Sequence, residues 1–81
     1  MTAVAVLTYR HLAMLRAVAG GRAEITCSCE PDLYVDGLPC CDQGSARELV
    51  RTGFLCAART ALTGQRVTAA LTELGRAALR R

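Results

Sequence analysis

The 81-residue sequence predicts an α+β fold in which helices pack on a small antiparallel sheet. Three observations carry that expectation. Apolar residues recur at helical spacing near both ends and in the middle, residues 23–29 alternate with a period of two, and two β-favouring runs flank Thr63-Gly64. A chain of this length makes one domain, residues 1–81, and folding buries only somewhat over about 60% of its accessible surface. A partner, a metal or a second copy would therefore add useful stability. Hydrophobic residues make up 52% of the chain and aromatic ones 4%, so disorder is not expected and the core must be assembled mainly from Leu, Val and Ala.

The elements follow in order. In "TYRHLAMLRAVAGG", Leu12, Leu15, Val18 and Ala19 share a helical face, Thr8 is an N-cap and Gly20-Gly21 a stop, which predicts a helix over 9–19. "RAEITCS" puts Ile25, Cys27 and Cys29 on one face and Glu24, Thr26 and Ser28 on the other, which predicts a half-buried strand over 23–29. "EPDLYVDGLP" has turn chemistry at both ends around Leu33, Tyr34 and Val35, hence a loop with one short strand. Asp42 caps a helix over 43–52 that ends at Gly53; Ser45 with Glu48 three residues on offers a competing start of the capping-box type. "FLCAARTALTGQRVTAALT" reads as a hairpin turning at Thr63-Gly64, with Thr60/Val67, Ala58/Ala69 and Cys56/Leu71 opposed on the core face and Arg59 and Arg66 pointing outward. Thr72 then caps a last helix, "ELGRAALRR", with Glu73 in its first turn and Arg80 and Arg81 at its end, both in the sense the helix dipole favours.

Charge is unevenly spread, and every basic residue is Arg. Residues 1–42 carry Arg10, Arg16 and Arg22 against five carboxylates, whereas residues 43–81 carry seven Arg against Glu48 and Glu73. An anionic partner would be met by the second half. The opening "MTAVAVLTYRHLAMLRAVAGG" lacks a basic n-region, and Arg10, His11 and Arg16 interrupt its apolar runs, so neither a signal peptide nor a membrane span is expected. The expected address is the cytoplasm, where thiols stay reduced.

"SARELVRTGFL", a hairpin, and then "RVTAALTELGRAAL" resemble the end of a winged helix-turn-helix domain of the MarR type. In that family a recognition helix closes with a leucine, a glycine and two apolar residues, and the second wing strand runs into a Leu-Thr-x-x-Gly-x-x-x-Leu turn. Here these positions are Leu49, Gly53, Phe54, Leu55, Leu71, Thr72, Gly75 and Leu79. "LTYRHLAMLRAVAGG" is similar to the family's first core helix. The resemblance covers residues 7–20 and 42–81 and implies a DNA-binding fold with a β-hairpin wing, double-stranded DNA as partner and a role in transcription regulation. By family habit and small size it also implies a homodimer through the first and last helices. Gln43, Arg47 and Arg51 lie four residues apart, opposite Ala46, Leu49 and Val50. In a winged helix that face meets the major groove, where Gln reads adenine and Arg reads guanine or holds phosphate, with Ser45 at the start of the same helix. Arg59 and Arg66 would lie over the backbone or the minor groove. The chain departs from the pattern at one place: a cysteine-rich segment stands where the family keeps its second helix.

That segment holds Cys27, Cys29, Cys40 and Cys41, and three readings of them stand side by side. They could form a four-thiolate zinc site, although Cys-x-Cys and Cys-Cys are not the usual knuckle spacing. They could pair as disulfides, leaving Cys56 over. They could be buried thiols. The departure, with the acidic run from Glu30 to Asp36, motivates a second functional expectation: a winged-helix-derived protein-interaction module, zinc-stabilised in one version, that does not bind DNA. No enzyme is expected, since His11 is the sole histidine, no phosphate-binding glycine motif occurs, and Asp32 and Asp36 fall in a turn-rich loop.

Overall fold

A computed structural model describes residues 7–80. Residues 1–6, at the start of the stretch in which no signal peptide is expected, and Arg81, at the end of the expected last helix, lie outside the described residues. Helix α1 spans Tyr9–Ala19, as its caps predict. The Thr8 hydroxyl accepts the His11 N–H at 3.2 Å, and the His11 ring Nδ1 accepts the Thr8 N–H at 3.0 Å, so a histidine fills the third position of a capping box. Strand β1 (Ala23–Thr26), β2 (Leu33–Val35) and β3 (Leu38–Pro39) form a meander, followed by α2 (Gln43–Arg51), β4 (Leu55–Ala57), β5 (Arg66–Leu71) and α3 (Glu73–Leu79). The fold is α+β, and among the described residues it has three helices and one five-stranded antiparallel sheet of order β3-β2-β1-β5-β4.

One face of the sheet is covered. Leu15 of α1, Leu33 of β2, Leu49 of α2 and Leu55 of β4 are the largest fully buried side chains, and Met14, Val18, Ile25, Phe54 and Val67 complete the same cluster. The core is thus built almost entirely from aliphatic side chains. The opposite face carries Glu24, Tyr34, Arg66 and Thr68, which alternate with the buried positions along their strands.

Three expectations change. The first strand ends at Thr26 rather than residue 29, because the Thr26 hydroxyl accepts the Asp32 N–H at 2.8 Å and the Thr26 N–H donates to the Asp32 carbonyl at 3.1 Å. This turns the chain straight back into β2. Asp36-Gly37, both at positive φ, then makes a two-residue hairpin turn of the primed kind, so the expected loop is a second hairpin with Val35 opposite Leu38. In the last hairpin the register is shifted by one: Leu55 pairs with Leu71 and Ala57 with Ala69, which turns Cys56 to the exposed face beside Ala70. Thr63-Gly64 is still the turn, closed by the Gln65 N–H on the Leu62 carbonyl at 2.9 Å, but one extra residue lies between it and β4, since Ala58 donates to the Thr68 carbonyl.

The Leu-Thr-x-x-Gly element docks α3 onto the end of α2. The Thr72 hydroxyl donates to the Gly53 carbonyl, the Thr72 N–H donates to that of Phe54 at 3.2 Å, and the Gly75 N–H returns to the Thr72 hydroxyl at 3.1 Å. A Cβ on Gly75 would stand well inside van der Waals contact of the Phe54 carbonyl oxygen. Glycine is required there by close approach of two backbones.

Candidate nucleic-acid interface

Helix α2 is held on three sides. Ala46 and Leu49 face the core. Its N-terminus is capped by Asp42, which accepts the Ser45 N–H at 3.0 Å and the Ser45 hydroxyl at 2.6 Å and pairs with Arg10 of α1 at 2.9 Å. The Ser45 hydroxyl, the Arg10 guanidinium and the Ser45 N–H together hold the Asp42 carboxyl well below the usual carboxylate range. The same pair raises the Arg10 guanidinium. Glu48 faces α1 through His11: since Nδ1 of that ring accepts the Thr8 N–H, Nε2 carries the proton and donates to Glu48 Oε1 at 3.2 Å.

The third side is the cysteine-rich segment. Gln43 Oε1 accepts the Leu33 N–H at 2.7 Å, and its Nε2 donates to the carbonyls of Leu33 at 3.0 Å and Cys40 at 2.8 Å. Arg47 donates from Nε to the Pro31 carbonyl at 3.2 Å and from Nη2 to Asp32 Oδ1 at 2.6 Å. Two members of the expected reading stripe, Gln43 and Arg47, are therefore engaged with the 31–40 segment. Ser45 is likewise turned inward onto Asp42. The helix presents Gly44, Glu48 and Arg51 as its exposed positions.

Arg66 projects from the sheet's open face, where it pairs with Glu24 at 3.1 Å and stacks over the Tyr34 ring at 4.2 Å. Arg22 pairs with Asp36 at 2.8 Å and Arg76 with Glu73 at 2.6 Å. Among the described residues Arg16, Arg51, Arg59 and Arg80 enter no ion pair, and all four are exposed. The excess positive charge therefore concentrates at the end of α2, the loop after β4 and two outer helix positions. Sequence reasoning missed Asp32, Glu24 and Glu48 as partners. The Glu24–Arg66 contact follows from the β1–β5 register, in which Glu24 lies opposite Thr68 and diagonal to Arg66. Nothing local to either residue signals the Asp32–Arg47 contact, which spans fifteen positions.

The cysteines divide between two grooves. Cys27, Cys29 and Cys56 border one, with Pro31, Val50 and Ala61; Cys40 and Cys41 border another, with Arg10, Met14 and Asp42. All five thiols are free, and Cys29, Cys41 and Cys56 are exposed. Among the described residues no three of His, Cys, Asp and Glu converge on a point that could hold a metal ion, so the expected set of Cys27, Cys29, Cys40 and Cys41 is not gathered. The reason is the turn at Thr26: Cys29 lies beyond the strand instead of sharing its inward face. No described helix is long and apolar enough to cross a membrane. No protein-family model matches this chain, and neither does any curated protein or solved structure.

Proposed function

We propose that the chain is a small DNA-binding protein of winged-helix type, acting in transcription regulation, which grips duplex DNA chiefly through its phosphates. Helix α2 runs directly into the β4–β5 hairpin, and β5 sits between β4 and β1, the arrangement a winged domain uses to place its recognition helix beside its wing. The observation that carries the reading is the exposed pair Arg51 and Arg59, one on each of those two elements, neither in an ion pair among the described residues. Phosphate contacts position a protein without reading sequence, which fits a helix whose Gln43 and Arg47 are already engaged. A second copy bound through α1 and α3 would double these contacts.

The test is a gel shift at low salt with two unrelated duplexes. The native chain is expected to retain both with similar affinity, and the Arg51→Ala, Arg59→Ala variant to lose about tenfold or more. Full retention by the variant would sink the reading.

A second reading is the protein-interaction module. It is favoured by Glu48 among the exposed positions of α2 and by Leu38, which is 70% exposed at the β2–β3 turn. A stoichiometric protein partner together with no DNA retention at low salt would select it.

A further inference from the structure

We infer that Asp32 acts as an internal phosphate mimic, occupying Arg47 and so keeping a third phosphate-binding arginine out of the DNA interface. The inference rests on the DNA-binding reading. Arg47 lies one helical turn before Arg51 on the same flank of α2, so a phosphodiester chain held by Arg51 passes within a side chain's reach of it. Its guanidinium is already organised for an oxyanion, with Nη2 on Asp32 Oδ1 at 2.6 Å and Nε on the Pro31 carbonyl at 3.2 Å. Neither partner is sealed off: the Arg47 side chain is 32% exposed and that of Asp32 44%. A contact at that exposure contributes little to stability, so removing the carboxylate frees the guanidinium without unfolding the domain. Asp32 also places a negative charge beside the path of the phosphates, so the carboxylate opposes binding twice, by occupying Arg47 and by repulsion.

The backbone of Asp32 is fixed independently of its side chain, by its N–H to the Thr26 hydroxyl and its carbonyl to the Thr26 N–H. Asp32→Asn therefore leaves the turn intact, and thermal unfolding of the variant checks this. The experiment compares four proteins, native, Asp32→Asn, Arg47→Ala and the double variant, in titrations of a labelled duplex over a range of salt concentrations. Asp32→Asn is expected to bind about three- to tenfold more tightly at low salt, with the log–log salt slope steeper by about 0.9, the value for one further phosphate contact. In the Arg47→Ala background the steepening should vanish. Unchanged or weaker binding by Asp32→Asn, or a steepening that persists without Arg47, overturns the inference while leaving the DNA-binding reading standing. Absence of binding by the native chain removes both.

Discussion

Gln43 uses its side-chain amide as a strand would use a peptide group, closing Leu33 on both its donor and its acceptor and adding the Cys40 carbonyl. Gln43→Ala leaves the buried Leu33 N–H and the Cys40 carbonyl without this partner, while the Leu33 carbonyl keeps the Cys40 N–H at 2.9 Å; the expected cost is about 1–3 kcal/mol, read from urea unfolding with no change in the slope of the transition. Arg47 is subtler, since its partner is a side chain at the surface; its removal should shift stability by about 1 kcal/mol or less. Both residues carry the polar periodicity of an outward helix face, and that periodicity is real, but a helix flank covered by a loop looks the same in sequence as one facing solvent. What decides between them is where the 31–40 segment lies, and that depends on the hairpin turn at Asp36-Gly37. Asp42 contributes in a pH-dependent way. Its carboxyl is held well below the usual range, so the unfolded chain takes up a proton first as pH falls, and the stability present above about pH 4 is lost on acidification. Melting curves of native protein and Asp42→Ala should therefore lie well apart at neutral pH and converge in strong acid.

The starts of the three helices were legible to the residue, because Thr8, Asp42 and Thr72 are local caps whose hydroxyl or carboxylate meets an amide three positions on, whereas the last helix stops at Leu79, short of the expected Arg80 and Arg81. Strand ends and register were less legible. The alternation through Cys27 and Cys29 continues the period of β1, yet Thr26 binds Asp32 and turns the chain, a contact between residues six apart that periodicity does not encode. The one-residue offset in the β4–β5 hairpin reversed the expected faces of β4, placing Leu55 and Ala57 inward, while β5 kept Val67 and Ala69 inward and Arg66 outward as expected. Two unlike roles thus fell to the cysteine-rich segment: it contributes β2 and β3 to the sheet, and it braces α2 through Gln43 and Arg47. The Thr72–Gly75 docking ties the far end of the same helix to α3. Gly75→Ala should destabilise the domain by about 2 kcal/mol or more, since the strain of moving α3 off the Phe54 carbonyl exceeds the roughly 1 kcal/mol gained in helix propensity. Thermal unfolding at matched pH checks it, and a stabilised variant would contradict the close approach.

Among the described residues nearly every carboxylate has a partner: Glu24, Asp32, Asp36, Asp42 and Glu73 each pair with an arginine, and Glu48 accepts the His11 Nε2–H. The positive balance read from the sequence of the second half is therefore not a uniform basic surface. It resolves to individual arginines, and the two on the helix–hairpin unit, Arg51 and Arg59, are where an anionic duplex would be held. Composition indicated which half carries the charge, but only the pairing shows which members are already compensated. The most direct test of this account is the salt dependence of duplex binding, measured side by side for the native chain and the Arg51→Ala, Arg59→Ala variant. Two lost phosphate contacts should make the log–log slope shallower by about 1.8. Equal slopes for the two proteins would contradict the assignment of the interface to this pair.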